Sequence, residues 1–286
     1  MRVVLIGDSP ALEALGSTLE APVFWIQGPS TSESGELSRR PVRFRAAPGD
    51  AWHMEWIGDP TLPDWIEPAP PTEPILCDRF AELRERGQWI LYGVDSGTGE
   101  EEQAMRLLFQ LGRFGLGLLI LGPAHASRYE PAYRSLIGYN LPITRHVRLI
   151  TSRVPRKTRV YYVEEAAVRD PLFACADAVI AGGTLSPEAG VVPDLITPIV
   201  AGCPVWVGPA RSDPMAAALV AEGGAPALDR VEALAEQLGP ELQDGEASAA
   251  RVRRQRDWLD AQRGAPERFL AWVDRVTGEA TPGASR

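Results

Sequence analysis

Asp177-Ala-Val-Ile-Ala-Gly-Gly-Thr-Leu-Ser186, followed by Ala201-Gly-Cys-Pro-Val-Trp-Val-Gly-Pro209, decides the fold class. Ala178–Ala181 is a short apolar run, as expected of a buried parallel strand. Gly182 and Gly183 end it, where the backbone must turn tightly or approach another group closely. A loop and a helical segment lead to Gly202, and Pro204–Val207 is a second buried run closed by Gly208-Pro209. The order is strand, glycine turn, helix, strand. In doubly wound sheets, ligands lie at the carboxyl ends of such strands, against helix N-termini with free N–H groups.

Outward from this stretch, the 286 residues suffice for one large domain or two ordinary ones. Apolar residues make up 45% and charged residues 23%, the balance of a folded globular protein. The net charge of −9 argues against a broad nucleic-acid surface. Cys77, Cys175 and Cys203 are spaced like no metal site. Cys175 and Cys203 lie in apolar runs and read as buried thiols, which with an odd count favours a reducing, cytoplasmic compartment. The start, Met-Arg-Val-Val-Leu-Ile, reads as a strand and not a signal peptide. Leu107–Leu121, the most apolar window, is broken by Gln110 and Arg113 and is too short to span a bilayer, which needs roughly 20 apolar residues.

In chain order, strands are expected at Val3–Ile6 and Val23–Ile26 with a helix at Ala11–Leu19 between them. Residues 28–74 lose periodicity. Seven prolines fall between Pro48 and Pro74, a loop-rich connector with one short strand near Trp56. From Pro74 the alternation is regular. Helices are expected at Asp78–Arg86, Glu100–Arg113, Arg128–Gly138, Pro171–Ala176, Met215–Glu222, Val231–Leu238, Ser248–Arg263 and Pro266–Val276. Strands are expected at Gln88–Val94, Leu116–Leu121, His146–Ser152, Arg159–Val163 and Pro226–Leu228. The fold class is α/β, a parallel doubly wound Rossmann-like sheet over residues 75–240. Residues 1–74 form a small βα appendage with its connector, and 241–286 closing helices and a tail. Acidic Glu100, Glu101 and Glu102 sit in the first turn of their helix, where the dipole favours them. Arg145–Arg159 carries six cations and no acid, either a solvated turn or a surface for a sugar phosphate or anionic lipid. Arg251–Arg256 reads as the solvent face of a closing helix.

The ordered motifs between about Gln88 and Leu238 resemble the bacterial 3-deoxy-D-manno-octulosonic acid (Kdo) transferases, glycosyltransferases of the GT-B fold. Gly182-Gly183-Thr184, Gly202-Cys203-Pro204-Val205 and Gly208-Pro209 stand where the family has Gly-Gly-Ser, Gly-Lys-Pro-Val and Gly-Pro. Asp95-Ser96-Gly97-Thr98-Gly99-Glu100-Glu101-Glu102 resembles its Ser-Thr-x-x-Gly-Glu-Glu-Glu loop. Pro123-Ala124-His125 with Arg128-Tyr129 resembles its Pro-Arg-His and Arg-Phe, and Gly223-Gly224-Ala225 matches a Gly-Gly-Ala. Trp25 to Glu33 is similar to its Trp-x-His-x-x-Ser-x-Gly-Glu, with Gln27 and Ser32 substituted. The resemblance implies transfer of Kdo or a related sugar from a CMP-sugar donor to a lipid A-type acceptor, at or near the inner membrane and without cofactor or metal. It implies Glu33 as catalytic base. Asp95, Ser96, Gly97, Thr98, His125, Arg128, Gly182, Gly183, Thr184, Gly208 and Pro209 would bind the donor.

The departures are specific. Ala124 replaces an arginine, Ala166-Ala167-Val168 replaces Met-Gly-Glu, Val191-Val192 replaces His-Asn, and Thr197-Pro198 replaces the Glu-Pro whose acid holds the ribose. Most of the N-terminal acceptor domain and the family's N-terminal anchor are not matched. A site built for CMP would lose ~1–3 kcal/mol for each buried polar group left unpaired. The alternative is therefore a non-catalytic homologue that binds a sugar, regulates, or assembles with a partner protein or a second copy. On either reading, function is decided by the site and not the fold.

Overall fold

A computed structural model describes residues 3–6, 23–26, 42–45, 53–55, 74–210, 213–262 and 264–277. The chain divides into two compact units, residues 1–66 with 259–286, and residues 67–258. The first unit holds a four-stranded sheet of β1 (Val3–Ile6), β2 (Val23–Ile26), β3 (Val42–Arg45) and β4 (His53–Glu55), in that order. β1 and β2 are parallel, as expected of a βαβ start, and β3 and β4 add antiparallel. β4 adjoins Trp56. β3 was not anticipated, although Val42-Arg-Phe-Arg alternates apolar and basic residues with the period of a strand. The helix expected at Ala11–Leu19 and the candidate base Glu33 lie outside the described residues.

The second unit is a six-stranded, all-parallel sheet. Its strands are β5 (Trp89–Ser96), β6 (Gly117–Pro123), β7 (Ile143–Arg145), β8 (Val160–Tyr162), β9 (Ala178–Ala181) and β10 (Val205–Trp206), in the order β10-β9-β5-β6-β8-β7. Both faces are buried, so the strands read as continuous apolar runs. The period of two still sorts their side chains. Trp89, Leu91, Leu119, Leu121, Val160, Tyr162 and Ile180 join one core, with α3 (Glu100–Leu111), α4 (Tyr129–Ile137) and α7 (Val231–Glu241) over it. Ile90, Tyr92, Leu118, Ile120, Tyr161 and Val179 join the other, under α1 (Pro74–Asp78), α2 (Ala81–Arg84) and the 3-10 turn Pro171–Cys175. α5 (Ile196–Ala201) stops at Gly202, whose φ of 80° is the left-handed C-cap that glycine supplies without strain. α6 (Pro214–Ala221) is capped by Asp213, whose carboxylate accepts from the N–H groups of Met215 and Ala216. α8 (Gly245–Gln262) and α9 (Ala265–Thr277) close the chain.

Four expectations are corrected. His146–Ser152 is not a strand. β7 lies just before it, ends level with Tyr162, and leaves the following residues without a strand to pair with. Pro226–Leu228 is not a strand either, because the outer edge of β10 is already occupied. The Gln255 amide accepts from the Val205 N–H at 2.9 Å and donates to the Val205 carbonyl at 2.6 Å. Arg251 does not face solvent. It is 7% exposed, pairs twice with Glu241 at 2.6 and 2.7 Å, and lies over the buried Trp206 ring at 3.8 Å. Cys175 is not a free thiol but is bonded to Cys77, 98 residues earlier, tying α1 to the segment before β9. Cys203 is the buried thiol expected, its pKa pushed up by burial.

The Gln255 contact yields a prediction. Gln255→Leu keeps bulk and removes these two hydrogen bonds and a third, to the Gly224 carbonyl at 3.1 Å, leaving the buried Val205 N–H and C=O unpaired at roughly 1–3 kcal/mol each. Urea denaturation is expected to show a lower midpoint with an unchanged slope. An unaltered midpoint would mean that β10 is not held this way.

Candidate functional site

Strand order reverses between β5 and β9, and in doubly wound sheets the crevice at that point receives the ligand. Here a side chain of the protein itself enters it, leaving only a gap of ≈ 10 Å³ between Ser96, Gly182 and Leu185. Glu100, the first residue of α3 and 1% exposed, accepts from the Gly97 N–H at 2.7 Å and the Gly183 N–H at 2.8 Å. Its other oxygen accepts from the Leu185 N–H at 2.7 Å. One carboxylate therefore ties the loop after β5 to the loop after β9. Thr184 is also wholly buried. Its hydroxyl donates to the Ala181 carbonyl at 2.6 Å and accepts from the Gly208 N–H at 2.9 Å. The glycines are needed because these loops pack backbone to backbone. A Cβ on Gly97 would overlap the Ala189 carbonyl, on Gly182 that of Asp95, on Gly183 that of Val191, and on Gly208 that of Thr184. Gly183 also has φ +80°.

Beside this clamp, the carboxyl ends of β5, β6 and β8 border a shallow depression open to solvent. Its enclosed volume, ≈ 20 Å³, is far below the ~300–1,000 Å³ of ordinary small-molecule sites, so it is a shallow surface feature and not a formed pocket. Tyr92, Asp95, Ala124, Tyr129, Glu165 and Arg169 are among its walls. Asp95 is held at φ 52°, the left-handed region that a non-glycine residue seldom occupies. Nη1 of Arg169 donates to both of its oxygens at 2.9 Å. Burial nevertheless raises the Asp95 pKa above its ordinary 3.8, outweighing the Arg169 charge. Beneath, the Tyr92 hydroxyl donates to the Arg169 carbonyl at 3.4 Å, and its pKa is pushed far up by burial.

Two further arginines stand along the same edge. Arg128 donates to both oxygens of buried Glu101 at 2.7 and 2.8 Å and to the Thr98 hydroxyl at 3.1 Å. Ser96 reaches the same Glu101 at 3.3 Å. Nε of Arg128 is buried without a partner among the described residues. Arg145 pairs with Glu164 and lies 4.3 Å over the Tyr133 ring. Each arginine thus has a carboxylate of its own.

The expected site residues therefore fall into three groups. Asp95, Ser96, Thr98 and Arg128 converge beside the depression. Gly97, Gly182, Gly183, Thr184 and Gly208 are joined, but with their polar groups turned inward to one another and to Glu100, and Pro209 follows directly. His125 is exposed at the rim, before the 3-10 turn Ala126–Arg128. Sequence reasoning read Glu100 and Glu101 as dipole partners and as part of a family-like loop, gave them no site role, and passed over Glu165 and Arg169. Three successive glutamates after a glycine loop were the available signal for the first pair. Nothing in the local pattern marked the second.

No family model and no curated protein matches the sequence. Solved structures do. The C-terminal CMP-Kdo binding domain of WaaA from Acinetobacter baumannii has a TM-score of 0.54 at 16% identity, covering 65% of this chain and 99% of that one. Anabaena Alr3699/HepE in complex with UDP and glucose scores 0.43 at 16% identity, covering 76% and 54%. WaaG, a glycosyltransferase involved in lipopolysaccharide biosynthesis, scores 0.39 at 20% identity, covering 70% and 51%. This chain spans about half the length of the latter two. The fold of residues 67–258 is the Rossmann-like architecture found in GT-B glycosyltransferases. Among the described residues no helix is long and apolar enough to cross a membrane.

Glu100→Gln puts an amide NH2 against backbone donors and removes the charge from the remaining bonds. A stability loss of about 2–4 kcal/mol is expected. Glu102→Gln, on the exposed side of the same turn, should change stability by less than about 0.5 kcal/mol. Equal effects of the two in chemical denaturation would refute the clamp.

Proposed function

We propose that the protein binds a nucleotide sugar of the CMP-Kdo type at the carboxyl edge of β5, β6 and β8, as the donor of a glycosyl transfer to a lipid A-type acceptor. The observation that supports this most directly is Asp95, a strained and buried carboxylate at the strand ends. Strain and a perturbed pKa of this kind gather at working sites. On this reading the nucleoside lies over the shallow depression, with Asp95 and Arg169 beside it. The phosphate lies toward Thr98, His125 and Arg128, and reaches Arg128 in competition with Glu101. Gly97, Gly182, Gly183, Thr184, Gly208 and Pro209 shape the wall without donating to the ligand. Glu33 serves as base.

One observation favours the second reading, a homologue that binds donor without turnover. The peptide N–H groups at the switch point are spent on Glu100, and all three edge arginines are paired within the protein. A phosphate gains less from cations that are already neutralised. The readings separate on CMP release from CMP-Kdo in the presence of lipid A precursor. Turnover that is lost in Glu33→Gln establishes the transferase, and donor binding without turnover establishes the homologue.

Binding itself is tested by thermal shift. A ligand present at about a hundred times its Kd stabilises by about 2.7 kcal/mol. Cytidine nucleotides are expected to raise Tm in the wild type and not in Asp95→Asn. That substitution should leave the unliganded protein as stable or more so. A carboxyl whose folded pKa is raised contributes stability that is present below the unfolded value, 3.8, and lost as pH rises through the folded one. At neutral pH its charge therefore costs stability, and asparagine tolerates the left-handed backbone. Failure of every cytidine and uridine nucleotide to shift the wild type would overturn the donor reading.

A further inference from the structure

After β7 the chain leaves the sheet edge at His146 and returns at Val160. This segment is fixed at intervals. His146 is buried with Nδ1 2.7 Å from the Tyr161 hydroxyl, Leu149 packs on the core, and Val154 is buried with its N–H donating to the Arg79 carbonyl at 2.9 Å. Between these anchors the apolar side chains of Val147 and Ile150 point out, 54% and 98% exposed. Ile150 is the most exposed large hydrophobic among the described residues. Cations surround them. Arg148 and Lys157 are exposed and make no ion pair among the described residues. Arg153 and Arg156 share one carboxylate, Glu82, at 3.2 and 2.5 Å. With Glu85 facing Arg156 as a second, exposed acid, the patch remains positive in a chain whose net charge is −9.

An isoleucine fixed in water amid cations suits a surface that is negative outside and apolar a few ångströms below. We propose that residues 147–157 dock the protein on an anionic bilayer, with Ile150 entering the headgroup boundary and Arg148 and Lys157 meeting lipid phosphates. The patch is opposite in sign to the chain as a whole, which favours approach to an anionic bilayer by this face. The inference is independent of the donor reading.

The test is co-sedimentation of the full chain at physiological salt with phosphatidylcholine vesicles, with and without one third phosphatidylglycerol. Retention is expected on the anionic vesicles alone. Ile150→Ser should weaken it about tenfold. Arg148→Ala and Lys157→Ala should each weaken it roughly fivefold. All three side chains are exposed, so Tm should be unchanged and folding is checked on the same samples. Absence of retention, equal retention on neutral vesicles, or variants that bind like the wild type would overturn the proposal. So would displacement of the protein from vesicles by polyglutamate with no effect of Ile150→Ser, which would assign the patch to acidic proteins.

Discussion

The carboxylate of Glu100 is the constraint on which the ligand edge of the sheet depends. Peptide N–H groups from two loops converge on one buried point, and each would cost about 1–3 kcal/mol if left unsatisfied. A single charged acceptor satisfies three of them and sits at the positive end of α3. Such a group is tolerable inside a protein because charge-assisted hydrogen bonds replace its hydration. With these loops pinned together there is no room for a Cβ between them, so the glycines follow from the clamp. The positions of Asp95 before it and Thr184 after it follow as well.

The electrostatics of the edge obey the same economy. Three arginines along it are matched by Asp95, Glu101 and Glu164, and Glu100 and Glu165 add further carboxylates, so no uncompensated positive charge awaits a ligand. An anion entering here does not find a vacant cation. It must exchange places with a carboxylate that can turn to solvent, and Glu101, only 5% exposed at its side chain, is poorly able to do so. Asp95 differs. Its charge is already disfavoured by burial, which makes it the member of the three most readily neutralised when a polar ligand settles against it.

The parallel core was legible in the sequence because buried strands announce themselves as short apolar runs closed by glycine, and Ala178–Ala181 and Trp89–Val94 did so. The strand expected at His146–Ser152 was misplaced for an instructive reason. Its apolar residues are the anchors and the exposed side chains of a loop pinned to the core, and a short apolar run cannot by itself be told from a strand. Arg251 read as solvent-facing because five of the six residues from 251 to 256 are Arg, Val, Arg, Arg and Arg around one glutamine. Helical spacing turned that glutamine and the first arginine inward together, onto β10. The site was half legible. The glycines and Glu100–Glu102 stood out as motifs, but whether their N–H groups meet a ligand or one another depends on a contact across 83 residues. The Asp95–Arg169 pair, 74 residues apart, has no local signature at all.

The Gln255 amide on β10 bears on self-association. A parallel sheet that ends in a two-residue strand presents one unsatisfied N–H and C=O, the minimum needed to recruit another chain by strand addition. A primary amide offers the same donor and acceptor pair as a peptide unit, and it caps that position as a peptide would while ending the ladder, since no further backbone follows it. The sheet is thereby closed to growth on this side by a side chain carried on a helix. Any crowding of copies through β10 must first pull α8 away from Trp206.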